Sequence, residues 1–168
     1  MNWLYGVLAV AAVAAAASVL VIGAVRRTAR RQQAGLPELP RWDPPGRPLL
    51  QARAARYLGT TYAPSPVRRF SGRGLLGRGM VDLALDRRGL RVAGGRPGDW
   101  GVPATDLRGV EVTSHHAGKV VYAPRVLVVD WQLGEVVLRS GFVLDDEPAA
   151  RAFAERLAAV AAGGEVLR

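Results

Sequence analysis

The chain has 168 residues, 23 Lys and Arg against 14 Asp and Glu, a formal net charge of +9, and no cysteine. This length holds one globular domain, and the lack of cysteine excludes disulfides and thiolate metal sites. The positive charge is concentrated near the N-terminus: residues 1–56 carry eight Arg against Glu38 and Asp43, whereas residues 57–168 carry 15 basic and 12 acidic groups. The later part is only mildly basic and shows no recognition helix, so nucleic acid is not expected as a partner.

Trp3 to Val25, "WLYGVLAVAAVAAAASVLVIGAV", is 23 residues without a charge. At ~1.5 Å per residue a helix of this length reaches roughly 34 Å, enough to cross a ~30 Å hydrocarbon core. Trp3 and Tyr5 stand at one end, where amphipathic rings favour the interface. Arg26, Arg27, Arg30 and Arg31 follow the other end, and no basic residue precedes Trp3. The positive-inside rule then predicts a single-pass protein of the cell membrane, N-terminus out, with the rest in the cytoplasm. Ala15-Ala16-Ala17 resembles a signal-peptide cleavage site, but the basic n-region is missing and "SVLVIGAV" continues apolar beyond it, so an uncleaved anchor is expected.

Residues 26–52 read as a basic, proline-rich juxtamembrane linker containing Pro37, Pro40, Pro44, Pro45 and Pro48. Proline at that density neither continues a helix nor joins a sheet ladder. The prediction is a semi-stiff spacer at ~3.1 Å per residue, about 60 Å over residues 32–50. The alternative is that Trp42 and Leu49–Leu50 pack back onto a domain spanning 53–168.

Within that domain, "MVDLALD" (80–86) places Val81, Leu83 and Leu85 on one face, a period of two. "RRG" (87–89) turns the chain and Leu90 and Val92 resume the alternation. "GDWGVPATDL" mixes a short strand with a loop, and "GVEVTSH" alternates again. "VLVVDW" (126–131) is the near-continuous apolar run of a strand buried on both faces, and "QLGE" turns it into "VVLRS" (136–140). Asp145, Asp146, Glu147 and Pro148 mark a helix start, and Phe153, Leu157 and Val160 form one apolar stripe over about 146–162. Six or seven short strands closed by one amphipathic helix suit a strongly bent sheet or partial barrel.

This order of elements, with "WGVPATDLRGVEV" (100–112), "AGKVV" (117–121), "LVVDWQLGEVVLRSGF" (127–142) and the terminal helix, resembles the membrane-anchored bacterial PH-like proteins of actinobacteria. The resemblance covers nearly the whole chain. It implies one N-terminal transmembrane helix, a cytoplasmic mainly-β PH-like barrel with a C-terminal helix, and no catalytic residues. It names no ligand. Some members carry a transporter label.

"SGRGLLGRGM" (71–80) spells G-x-G-x-x-G at Gly72, Gly74 and Gly77. A dinucleotide fingerprint needs a strand before it and a helix after it. Here Pro64 and Pro66 interrupt any preceding strand and period-two residues follow. The glycines therefore read as loop residues that permit positive φ, and no cofactor is expected. The same region carries Arg68, Arg69, Arg73 and Arg78 with no acid from Tyr57 to Val81, either a solvated arginine-rich loop or a mobile basic loop suited to anionic headgroups, phosphate or an acidic partner. Lys119, the only lysine, lies in a loop between strands and is a further contact candidate. His115 and His116, as strand neighbours, point to opposite faces and do not share a metal. No Ser/His/Asp grouping appears, and the carboxylates of Asp145, Asp146 and Glu147 suit a helix dipole. The expectation is a non-enzymatic, membrane-anchored binding or scaffolding module, with an accessory subunit of a membrane transport or export complex as the alternative.

Overall fold

The longest strand of the molecule lies where the sequence alternates least. In the computed structural model, which describes residues 35–44, 47–63 and 65–163, strand β1 runs from Leu50 to Tyr62. The expected span Trp3–Val25 and the arginines Arg26, Arg27, Arg30 and Arg31 lie outside the described residues. Among the described residues no helix is long and apolar enough to cross a membrane. The chain divides into a unit of residues 1–36 and a unit of residues 37–168, and the strands and the helix of the described residues all lie in the second.

After β1 come β2 (Ser65–Arg69), β3 (Gly79–Asp86), β4 (Gly89–Ala93), β5 (Trp100–Pro103), β6 (Leu107–Thr113), the short β7 (His115–His116) and β8 (Lys119–Val120), β9 (Val126–Leu133) and β10 (Val136–Val143). Helix α1 spans Glu147–Ala161. The main sheet has the order β5-β4-β3-β1-β10-β9-β6, with β2 paired to β1 off this path and β7–β8 forming a separate hairpin. The seven-strand path matches the expected six or seven strands; β2, β7 and β8 are short additions to it. β2 corrects the sequence reading, in which Pro64 and Pro66 interrupt any strand there. It pairs only through Thr61↔Arg69 and Tyr62↔Ser65, the edge position where a strand tolerates proline.

β1 escapes pattern reading because two register shifts interrupt its alternation, one between Ala52 and Ala55 against β3 and one between Tyr57 and Gly59 against β10. Ala54 takes φ +54° and Gly59 φ +98°, the local geometry of bulges that re-aim a strand. Between the two shifts, Tyr57 points into the sheet's concave side. There it stacks on Phe142 at 5.3 Å and meets Trp100 at 6.0 Å, while Trp100 stacks on Trp131 at 5.5 Å. These four rings are the centre of the core, and each is essentially inaccessible to solvent. The polar atoms of Tyr57 and Trp131 are bonded inside it, whereas Trp100 Nε1 is buried without a partner among the described residues. Trp131 Nε1 donates to Ser140 Oγ at 3.0 Å, Ser140 Oγ and Thr60 Oγ1 lie 2.7 Å apart, and the Tyr57 hydroxyl lies 2.6 Å from Thr60 Oγ1.

The apolar run at 126–129 is buried on both faces, as its composition predicts. Leu127 and Val129 join the core, whereas Val126 and Val128 form a second cluster with Leu58 on the other side of the sheet. Helix α1 begins at an Asp146 cap whose Oδ1 accepts from Ala149 N–H at 2.7 Å, with Pro148 in its first turn. Its buried stripe is Ala150, Phe153, Leu157 and Val160. It packs on β6 and β9 at one end of the strand order and on β3 and β4 at the other, so it closes the mouth of a sheet bent back on itself.

The proline-rich stretch is not a free spacer from Pro37 onward. Leu39 is buried, Gly101 N–H donates to Pro40 O at 2.8 Å, and Arg88 Nη2 donates to Asp43 O at 3.0 Å. The Trp42 ring lies so close over Gly101 that a Cβ there would stand 2.3 Å from it, and the Arg88 guanidinium sits 5.7 Å from the same ring. The strap covers the outer edge of β5, an end of the sheet that would otherwise expose unpaired backbone groups.

Candidate functional site

The glycine- and arginine-rich stretch is anchored rather than mobile. Gly72–Gly74 form one 3-10 turn and Gly79 begins β3. Of the four glycines only Gly74 has positive φ, +80°, and a Cβ on it would stand 2.7 Å from Pro97 Cβ. Leu75 is wholly buried, and its carbonyl accepts from the Tyr57 hydroxyl at 3.0 Å and from Thr60 N–H at 3.2 Å. The loop is therefore tied to the core through β1.

Three of its four arginines serve that anchoring. The Arg68 guanidinium stands 4.5 Å above the Tyr62 ring. Arg69 Nη2 donates to Ala117 O at 3.4 Å, and Arg73 Nε donates to Pro37 O at 3.1 Å. Arg78 differs: it is exposed and lines a cleft of about 680 Å³ together with Lys119, Arg56 and Arg125. So the structure separates the five expected contact residues, bringing only Arg78 and Lys119 together and adding two that sequence reasoning missed. Arg56 lies in the same acid-free run, which extends from Pro44 to Val81, but ahead of the glycine- and arginine-rich loop. Arg125 is distant in sequence, and only strand pairing unites the group, through Arg56↔Met80 and Arg56↔Val143.

The roof of the cleft is the β7–β8 hairpin, held down by His116. The histidine is 4% exposed, and its Nε2–H donates to Gly59 O at 3.1 Å. Its ring lies on Gly141, where a Cβ would stand 2.4 Å from it. Burial pushes the imidazole's pKa down, against the Gly59 carbonyl; the Arg139 guanidinium and His115 push the same way as burial, and Asp130 opposes them. The ring is thus a neutral wedge bonded to Gly59 O and seated over Gly141, which leaves room for it. His115, its neighbour, is exposed, with Nδ1 3.0 Å from Thr113 Oγ1. Val121 of the hairpin packs on the Leu58–Val126–Val128 cluster, which gives the cleft an apolar floor.

The lining of the cleft is predominantly cationic. Arg56, Arg78 and Lys119 have no side-chain acceptor among the described residues, and Arg125 spends one donor on Asp145 O at 2.8 Å. Asp145 is the only acid in the lining. The only lining hydroxyl is that of Tyr57, which is bound inward and whose pKa burial pushes up. No nucleophile stands beside a base there, the minimum arrangement for covalent or acid–base chemistry. Exposed apolar side chains rim the cleft at Met80 and Val120, and Tyr122 follows on the hairpin, fully exposed.

Neither the curated proteins nor the solved structures contain a match to this chain. The family model for the bacterial PH domain-like proteins matches residues 33–158. That match covers the strap, all ten strands and most of α1, and a mainly-β bent sheet with one C-terminal helix is the arrangement expected for such a domain. The chain therefore belongs to the bacterial PH domain-like family.

Proposed function

We propose that the protein is a non-enzymatic binding and scaffolding module tethered to the cell membrane by Trp3–Val25, with its PH-like domain in the cytoplasm. The observation that carries this reading is the cleft itself. Three cations from three separate elements converge on one depression without a side-chain acceptor among the described residues, beside exposed apolar side chains. Such a surface suits anionic lipid headgroups, where each basic residue near the bilayer contributes ~1 kcal/mol, or an acidic protein. The tether is short. Eleven residues, 26–36, separate the expected span from Pro37, a reach of at most roughly 40 Å when fully extended.

The test is co-sedimentation of residues 37–168, which form a compact unit with their own core, with neutral and anionic liposomes at two salt concentrations. Salt-sensitive binding to anionic vesicles, lost in Arg56→Gln/Arg78→Gln/Lys119→Gln and kept in Arg68→Gln, supports a headgroup contact. Absence of binding to either vesicle leaves a protein ligand. The second reading, an accessory subunit of a transport or export complex, has Trp3–Val25 pack against the helices of that complex. Exchanging Trp3–Val25 for an unrelated span preserves function under the first reading and abolishes it under the second.

A further inference from the structure

Strand β1 has two neighbours over only part of its length. It pairs with β3 from Leu50 to Tyr57, but with β10 only from Arg56 to Tyr62. Beyond Val143 the chain turns away through Leu144 and Asp145 into α1. From Leu50 to Ala55 one side of β1 is therefore a free edge in the middle of the sheet order. A strand directs its N–H and C=O groups alternately to its two sides, so on that side they lack a ladder partner among the described residues.

The space beside this edge is open. A depression of about 260 Å³ runs between Leu50–Ala55 and the first turns of α1, at Ala149, Ala152 and Phe153. It shares Leu144 and Asp145 with the basic cleft, so the two form one groove along β1. The free edge covers six residues, roughly 20 Å at the strand rise. One end of the groove is lined mainly by Ala52, Ala55, Ala149, Ala152 and Phe153, with Asp145 where the two depressions meet, and the other by Arg56, Arg78, Lys119 and Arg125.

We infer that this groove receives an extended acidic segment of a partner protein, added as a strand to the free edge of β1. Backbone pairing supplies affinity in strand addition, and side-chain pockets supply selectivity. The basic end selects carboxylates, and the alanines leave room for small or branched side chains between them. The same arginines, together with Arg53 on the exposed side of β1 and the bulge at Ala54, repel another copy of this basic edge. Charged residues and bulges are how exposed edges avoid self-pairing. This inference rests on the binding-module reading above and names the class of its partner.

The probe is a fluorescent acidic hexapeptide, acetyl-SEVEAE-amide, added to the full-length chain in neutral detergent micelles and read by anisotropy. Two further peptides carry N-methyl groups on alternate residues, one on the odd and one on the even positions. Each blocks one edge of the peptide strand and leaves its charge unchanged. Strand addition predicts that the parent binds, that one methylated isomer loses about tenfold or more in affinity and that the other does not. It also predicts weaker binding to Arg56→Gln/Arg78→Gln, and slowed amide exchange within Leu50–Ala55 on addition of the parent peptide. Equal binding of both methylated isomers would reduce the contact to charge alone and overturn the inference, as would no binding of the parent. If the peptides fail while anionic liposomes still capture the domain, the strand-addition inference falls and the headgroup reading stands. If both fail, both fall.

Discussion

Replacing Gly141 with alanine isolates the contact that holds the roof of the cleft. Gly141 sits in β10 between Gly59 of β1 and Val128 of β9, so its backbone is held from both sides, and its φ lies outside the left-handed region. Alanine therefore suits the strand, and the strain falls on one neighbour. The new Cβ would stand 2.4, 2.5 and 3.0 Å from Cδ2, Cγ and Cβ of His116. The ring has to leave, and it loses the 3.1 Å bond to Gly59 O. The bond is worth ~1 kcal/mol and crowding of this kind costs ~1–3 kcal/mol, so a loss of about 2–4 kcal/mol is expected, with the hairpin the first part to loosen. The assay is urea unfolding of residues 37–168 combined with amide exchange. Residues 115–121 should exchange faster while Leu83 and Leu127 keep their protection. His116→Ala alone should cost ~1–3 kcal/mol, through the lost hydrogen bond and packing, and adding Gly141→Ala to it should cost little more, since the clashing ring is gone. Additive losses within ~0.5 kcal/mol, the behaviour of independent sites, would refute the steric argument.

Two further outcomes follow from the same core. His116 is held below the ordinary histidine range by burial, so the unfolded chain takes up a proton near pH ~6.5 while the folded chain resists until lower pH. Stability is then fully present above that value and declines as pH falls below it; in His116→Gln this part of the acid slope should vanish from the urea midpoints, and a slope identical to the parent's would count against the assignment. Ser140→Ala leaves the Trp131 indole N–H, now bonded to Ser140 Oγ, buried without an acceptor. A loss of ~1–3 kcal/mol is expected by thermal or chemical unfolding, and a loss under ~0.5 kcal/mol would show that the serine–threonine–tyrosine chain contributes little.

The contrast between β9 and β1 shows what is legible in a sequence. Val126–Val129 is a continuous apolar run because it faces two apolar clusters at once, and α1 carries its cap and its stripe in local sequence. β1 is just as central, yet its two bulges shift the facing of its side chains twice, so no single period describes it, and Arg53, Ala54 and Gly59 are poor strand formers in isolation. Trp42 and Leu39 sit in a proline-rich segment whose local chemistry predicts extension. That extension is observed, but what the strap lies against depends on Gly101, some sixty residues later.

The same limit governs the site. A run of arginines without acids announces a basic region, and Arg78 and Lys119 are legible as candidates on that ground. The sequence cannot show that Arg68 finds the Tyr62 ring or that Arg69 finds Ala117 O, because those partners are set by folding. Local pattern by itself determined the mainly-β class, the terminal helix, the turn after β9 and the sign of the charge, all of which depend on neighbours within a few residues. Tertiary structure alone decided which cations remain unpaired, where β1 loses its second neighbour and what roofs the cleft, because each depends on strand register between segments far apart in the chain.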